Sequence, residues 1–456
     1  MDEEALASLL QASRTPEGRC RLAGDGTLDA VLHRLSPSSP LLLHHLLLLR
    51  NLCAGEQANQ DAFLRSDGPD LIVPVVLSSP PEVARVGLQV LCNAALAGEE
   101  HRAKVWARLF PLGFLELAWI RDRGVSDPLC MLLDTCCSAE GGRRRLGELC
   151  EDGKGLSILV EIITTASTAG FQEEWLEWLL SKVCIEEPYF FILFQKLGWL
   201  DDSNNMIDIE NGNAIFTGEQ AFLMQLLSNC LRERPNDVTV SDVFALSVLR
   251  VLKQASCIVD FNHRGNSALP TGSPATDVLG YALNILRDIC ARDDPLLAGR
   301  ASVDSLIASG LLQLLLGFLS ELELPSTIRK STASGRNQIP GIADTLKVCP
   351  YKGFRRDVVS VISNCLYQRK QVQDEFRRQN GIPLLLQQCV IDEDNSFLRE
   401  WGLMAVRNLL EGNMENQHEI AQLELQGTVD TPEITELGLR VEVDKITQQA
   451  KLVNIS

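Results

Sequence analysis

"LREWGLMAVRNLLEGNMENQ", Leu398 to Gln417, reads as one helix that stops at Gly412. Trp401, Leu403, Met404, Ala405, Val406, Leu409 and Leu410 surround it almost completely, as expected of a helix buried on nearly every side. Yet Arg407 and Asn408 sit inside the apolar run, and NMENQ follows at once. A buried amide needs hydrogen-bond partners, so Asn408 has a specific task.

The Asn has counterparts along the chain. LRNLC gives Asn51, LCNAA gives Asn93, LSNCL gives Asn229 and ISNCL gives Asn364, while LDTCC puts Thr135 and LRDIC puts Asp288 in the same place. Asn51, Asn93 and Thr135 are spaced by 42 residues, and Asn364 and Asn408 by 44. The longer interval from Thr135 to Asn229 leaves room for one further repeat, centred on Lys182 in WLLSKVC. Gly68 of DGPDLIVPVV and Gly381 of NGIPLLLQQC both come 17 residues after an Asn, and each opens a short apolar run. NQDAF (Asn59 to Phe63), VQDEF (Val372 to Phe376) and NQHEI (Asn416 to Ile420) echo one another and begin the next unit. The unit is therefore a short helix, a Gly-started second helix and a long third helix carrying the Asn. That period and helix count predict an all-α, armadillo-like helical repeat solenoid, whose units bury their apolar faces only by stacking. Only LRVEV, Leu439 to Val443, alternates with period two, so strand should be minimal.

Bulk properties agree. At 456 residues the chain exceeds a single core, and 45% hydrophobic with 22% charged residues suits a soluble protein. A net charge of −18 and a pI near 4.9 argue against a broad surface for nucleic acid or anionic membrane. The start, MDEEALASLLQ, lacks the basic region of a secretory signal. The longest apolar runs, Leu41 to Leu49 and Tyr189 to Phe194, fall short of the roughly 20 residues that span a bilayer. Fourteen cysteines with no Cys-x-x-Cys pair, many beside Leu, read as small buried hydrophobes in a reducing, cytoplasmic setting.

Polar stretches at Asp201–Asn213, Asp260–Thr276 and Leu324–Gly341 read as loops interrupting the stack. The expected organisation is N-terminal repeats over 1–200, middle repeats over 214–323, a flexible loop over 324–346, a C-terminal armadillo-like domain over 347–425 and a tail over 426–456.

No phosphate loop, His-Glu-x-x-His or Gly-x-Ser-x-Gly motif is present, so no catalytic residue, metal or cofactor is assigned. His44 and His45 read as helix residues, and Arg143–Arg145, like Lys352, Arg355 and Arg356, as solvated basic loops. The candidate protein-binding residues are Asn51, Asn93, Asn229, Asn364 and Asn408, with Trp401 as a stacking platform and Arg407 as the i+4 partner of Glu411. Aligned amides can grip the backbone of an extended peptide, or satisfy carbonyls of the neighbouring repeat. Both readings stand at this point.

From Tyr351 the sequence carries a more specific signature. YKGFRRDVVSVISNCL, the GIPLLL helix start, the acidic DEDN loop before Glu400-Trp401, and RNLLEGNMENQ follow in an order that resembles the carboxy-terminal domain of the ataxin-10 family. GLRVEVDKITQQAKLVN is similar to the tail of that family, while Ser396 replaces the Pro common after the Asn. The resemblance implies a non-enzymatic, cytoplasmic scaffold for other proteins, tied in animal members to neuronal survival, development, signalling and cytokinesis. It implies no nucleic-acid partner and no membrane insertion, and leaves homo-oligomerisation open. The alternative is an armadillo-type transport adaptor that binds extended basic peptides, which should show a paired Trp and Asn in most repeats. A rival of another class is an enzyme with an unrecognised Cys or His site.

Overall fold

The computed structural model describes residues 3–138, 141–170, 173–198, 216–292, 302–334, 346–423, 439–443 and 450–454. Among them are 25 α-helices, one π-helical turn and one two-stranded hairpin, so the chain is an all-α helical solenoid. It divides into two compact units, one comprising Met1–Asn205, Thr217–Cys230 and Asn236–Thr239, the other Met206–Phe216, Leu231–Pro235 and Val240–Ser456.

In the first unit the long helices Leu42–Cys53, Pro81–Ala95, Arg123–Cys137 and Glu174–Leu180 lie side by side in chain order. The first three are each preceded by two shorter helices, as in Gln57–Arg65 and Gly68–Ser78 before Pro81–Ala95, whereas Glu174–Leu180 follows Gly142–Cys150 and the longer Leu156–Ala169. The weakest repeat of the sequence pattern holds its place: Lys182 continues the Glu174–Leu180 helix within the π-helical turn Ser181–Glu186. In the second unit Asp242–Ile258, Pro274–Arg292, Phe354–Leu366 and Leu398–Leu410 form a corresponding row. Asp242–Ile258 contains no Asn, which is why the repeat pattern passed over it.

The Gly at the start of the second helix has a packing cause. A Cβ on Gly68 would come within 2.4 Å of the Phe63 ring, and one on Gly381 within 2.6 Å of the Phe376 ring. Both rings come from the first helix of the same repeat, five residues earlier, and both are fully buried. Asp67 and Asn380, just ahead, take left-handed conformations with φ of 51° and 58°, which short polar side chains tolerate. The sequence echo of Phe and Gly is thus one close contact made twice.

Three expected loops prove to be ordered otherwise. Ser326–Ser334 is a helix within the stretch 324–346 expected to be a flexible loop, of which 335–345 lie outside the described residues. Its N-terminal Ser326 N–H donates to Asp392 Oδ2 at 2.9 Å, and Arg329 and Lys330 pair with Glu323 and Glu393 at 2.8 Å each. Asp392 and Glu393, more than 60 residues away, supply order that composition alone does not. Arg143–Arg145 opens the helix Gly142–Cys150, and Arg145 is fully buried while Arg143 and Arg144 are not. Arg355 is buried as well, Arg356 pairs with Asp357, and only Lys352 is a solvated cation. The Asp260–Thr276 stretch is non-helical as far as Ser273. Asp201–Asn213, and with it a lobe boundary near Asp201, lies outside the described residues.

After the last helix, Leu439–Val443 pairs antiparallel with Ala450–Asn454, with Val441 opposite Leu452. Among the described residues no single helix is long and apolar enough to cross a membrane.

Gly381→Ala should lower stability by about 1–3 kcal/mol, the usual cost of overpacking a filled core. Gly317→Ala is the control, because a Cβ there meets nothing within 4 Å, and it should leave stability equal or slightly raised. Urea midpoints of the two variants against the parent chain check this.

Candidate functional site

The Asn residues of the long helices form an ordered clasp. Asn93 Nδ2 donates to Arg50 O at 2.9 Å, Asn364 Nδ2 to Arg287 O at 3.0 Å and Asn408 Nδ2 to Ser363 O at 2.9 Å. In each case the acceptor is the carbonyl one residue before the ladder position of the preceding long helix. Asn51, at the start of the row, donates instead to Ser13 Oγ at 3.0 Å. Asn408 is buried, and the other three are half-buried. Thr135 turns back onto its own helix at Met131 O, and Lys182 replaces the amide with bonds to Asp134 Oδ1 and Ser138 Oγ, both 2.6 Å. Asn229 is half-buried in the helix Gly218–Glu233.

A second set of amides went unnoticed in the sequence. Gln60 Nε2 donates to Cys53 O at 2.9 Å and to Asn93 O at 2.8 Å, and Gln373 Nε2 to Leu366 O at 3.2 Å and to Asn408 O at 2.8 Å. One side chain therefore caps the end of the preceding long helix and holds the long helix of its own repeat. The last carbonyls of any helix lack partners inside it, so such a cap removes a real deficit. Asn59, Asn416 and Gln417 repeat the reach to the carbonyl seven residues back, Leu52, Leu409 and Leu410 respectively, at 2.8–3.0 Å. The NQDAF, VQDEF and NQHEI echo was legible as a helix start. Its amides gave the only signal of this second task.

Trp401 is half-buried and Arg407 exposed. Among the described ion pairs none joins Arg407 to Glu411, so that expected pair is corrected. Arg407 sits about 100° around the helix from its neighbour Asn408, on the exposed side.

The YKGFRR segment forms a polar knot within the second unit. Asn395 Oδ1 accepts from the Arg355 N–H at 3.0 Å, capping the helix Phe354–Leu366, while its own Nδ2 donates to Asp392 Oδ1 at 3.0 Å. Arg355 donates to Gln388 Oε1 at 3.1 Å and to the Glu323 carbonyl. Tyr351 Oη donates to Asp357 Oδ2 at 2.9 Å, and Arg356 lies 2.7 Å from the other oxygen. Burial pushes the Asp357 carboxyl up, and these two partners oppose the push. Around the knot, the Phe261, Phe318, Tyr351 and Phe354 rings lie 5.4–6.0 Å apart between centroids in successive contacts.

Chemically reactive groups are quiet. Burial pushes the Cys53, Cys136 and Cys150 thiols up to about 12, far from the range of a nucleophilic thiolate. His44 is exposed, whereas His45 is buried and its pKa is lowered, first by burial and then by Arg34. No group of His, Cys, Asp or Glu able to hold a metal ion occurs among the described residues.

Stacked three-helix units clasped by repeated amides define an armadillo-like solenoid. Residues 354–452 match the family model described as the spinocerebellar ataxia type 10 protein domain. The chain is 25% identical to Ataxin-10 of Xenopus tropicalis over 407 residues, covering 86% of this chain and 77% of that one. Against Ataxin-10 of Homo sapiens it is 25% identical over 421 residues, covering 90% and 82%. The Ataxin-10 homolog of Dictyostelium discoideum is 38% identical over 92 residues, 20% of this chain and 15% of that one. Residues 354–452 thus carry the ataxin-10-type domain, and the similarity to ataxin-10 proteins continues over 86–90% of the chain.

The buried Arg145 gives a pH-dependent test. Its guanidinium donates to Glu99 at 2.7 and 2.8 Å and to Cys136 O at 2.5 Å. The Arg145 hydrogen bond holds the Glu99 carboxyl below its usual range. That contribution is present above the unfolded pKa, about 4.3, and is lost as pH falls through the lowered folded value. Glu99→Gln should therefore cost most near pH 7, and its difference from the parent should shrink as pH falls below the unfolded pKa and vanish only below the lowered folded value. The cost should stay under about 1 kcal/mol, because the Glu99 side chain is 37% exposed and screened. Arg145→Met should cost more, about 1–3 kcal/mol, since the Cys136 carbonyl then loses a donor. Chemical unfolding at several pH values measures both.

Proposed function

We propose that the protein is a non-catalytic scaffold that binds other proteins through the outer surface of its stacked repeats, and that it works in the cytoplasm in signalling or cell division. The observation that carries this reading is the allocation of polar groups. Inside the repeats, the amides and guanidinium groups named above are bonded to the chain's own carbonyls and carboxylates, which leaves recognition to surface side chains on a fixed frame. Repeat arrays of this type supply long ordered surfaces in place of a closed pocket. The high thiol pKa values favour binding over catalysis by a cysteine nucleophile. Eleven buried free cysteines suit a reducing compartment.

A transport adaptor gripping extended peptides would need amide donors aimed at the ligand. Asn408 spends both its N–H groups on Ser363 O and Oγ, and Asn93 and Asn364 each spend one on a carbonyl. The general scaffold is therefore the reading we favour.

The test begins with affinity purification of the full chain from cells of its source and mass spectrometry of co-purifying proteins. Each candidate is then mixed, purified, with the purified chain in a calorimeter. The proposal expects at least one saturable 1:1 or multimeric complex with a Kd of about 10 μM or tighter, within the range of transient signalling complexes. If none of the candidates binds directly, the scaffold reading fails.

A further inference from the structure

The last long helix ends the row with a face built like an inner one. Asn408 stands 44 residues after Asn364, so Leu403, Met404 and Arg407 occupy the positions of Val359, Ser360 and Ser363 one repeat earlier. Val359, Ser360 and Ser363 are 0–1% exposed, and Ser363 receives Asn408 of the following helix. Leu403 is 55% and Met404 45% exposed, and beyond them Met414 is 73% and Leu423 52% exposed. The same register that is covered inside the row is open at its end. Repeat arrays generally need a capping element there, because an uncovered repeat face is apolar.

The chain carries a segment suited to that place. The hairpin Leu439–Val443 with Ala450–Asn454 pairs Leu439 with Asn454, Val441 with Leu452 and Val443 with Ala450, so five of the six residues in these alternate register positions are apolar. A lone two-stranded hairpin is at best marginally stable in water and needs a packing partner. The family-domain match runs from 354 to 452, from the penultimate long helix through most of the second strand, so helices and hairpin belong to one domain. Residues 424–438 connect them, and fifteen residues reach at most about 50 Å, against about 20 Å for the length of the helix Leu398–Leu410.

We propose that the C-terminal hairpin docks on the open face at Leu403, Met404 and Met414 and caps the solenoid. The tether makes this an intramolecular event with an effective concentration in the millimolar range, enough to keep a weak contact closed. The proposal does not depend on the scaffold function, since a capped end and a partner surface are separate parts of the molecule.

The test places a photoreactive benzoyl-phenylalanine at Leu403 in the full chain, with a second chain labelled at Leu112 as control, which is 69% exposed in the first unit. Irradiation, digestion and mass spectrometry should give an intramolecular crosslink from position 403 to a peptide within 439–454, and none to that peptide from 112. Crosslinks from 403 to a second copy, or to no part of 439–454, would overturn the proposal. A chain ending at Gly438 supplies an independent measurement. Amides of the Leu398–Leu410 helix should exchange faster by on the order of tenfold once the cap is gone. Unchanged exchange would also overturn it.

Discussion

A side-chain amide donating to a main-chain carbonyl of the neighbouring helix is the interaction on which this solenoid depends. Apolar stacking drives the helices together, but Leu against Leu fixes neither register nor order. Asn93, Asn364 and Asn408 do, because each reaches the same carbonyl relative to the preceding ladder position. Gln60 and Gln373 then tie the end of one long helix to the next. A net hydrogen bond contributes only about 1 kcal/mol, whereas a buried carbonyl left unpaired costs about 1–3 kcal/mol. Repeated across the stack, that asymmetry is comparable with the 5–15 kcal/mol that keeps a domain folded. The amides thus penalise a slipped register more than they reward the right one.

The C-terminal domain applies the same logic with charge. Asn395 caps Phe354–Leu366 while held by Asp392, and Arg355 reaches both Gln388 and the Glu323 carbonyl. Segments far apart in sequence meet here through side-chain hydrogen bonds. Two nitrogens of the buried Arg355 guanidinium are met by Gln388 and the Glu323 carbonyl, and losing either partner would leave a buried charge less compensated.

Most of the architecture was legible because stacking imposes a period. The 42- and 44-residue spacings placed the long helices, Gly68 and Gly381 placed the second helices, and the alternation of LRVEV marked one strand of the hairpin but not its partner Ala450–Asn454. What failed was local composition. Ser326–Ser334 looks unable to order itself, yet Asp392, Glu323 and Glu393 order it from outside. Arg145 looks solvated beside Arg143 and Arg144, yet it is buried against Glu99. Partners brought close only by folding leave no local trace. At the candidate site the positions of the Asn residues were readable, but the direction of each amide was not. Helical period gives a face, while the acceptor belongs to the preceding repeat.

The central claim is that these amides hold the fold together, and one double variant tests it. Asn364→Ala with Asn408→Ala frees the Arg287 and Ser363 carbonyls without touching an exposed surface residue. Thermal unfolding and partner affinity are measured on the same preparation. The account predicts a markedly lowered unfolding midpoint, from a loss of about 1–3 kcal/mol at each site, with partner affinity unchanged at temperatures where the chain stays folded. An unchanged midpoint together with lost partner binding would contradict it and make the ladder a peptide grip.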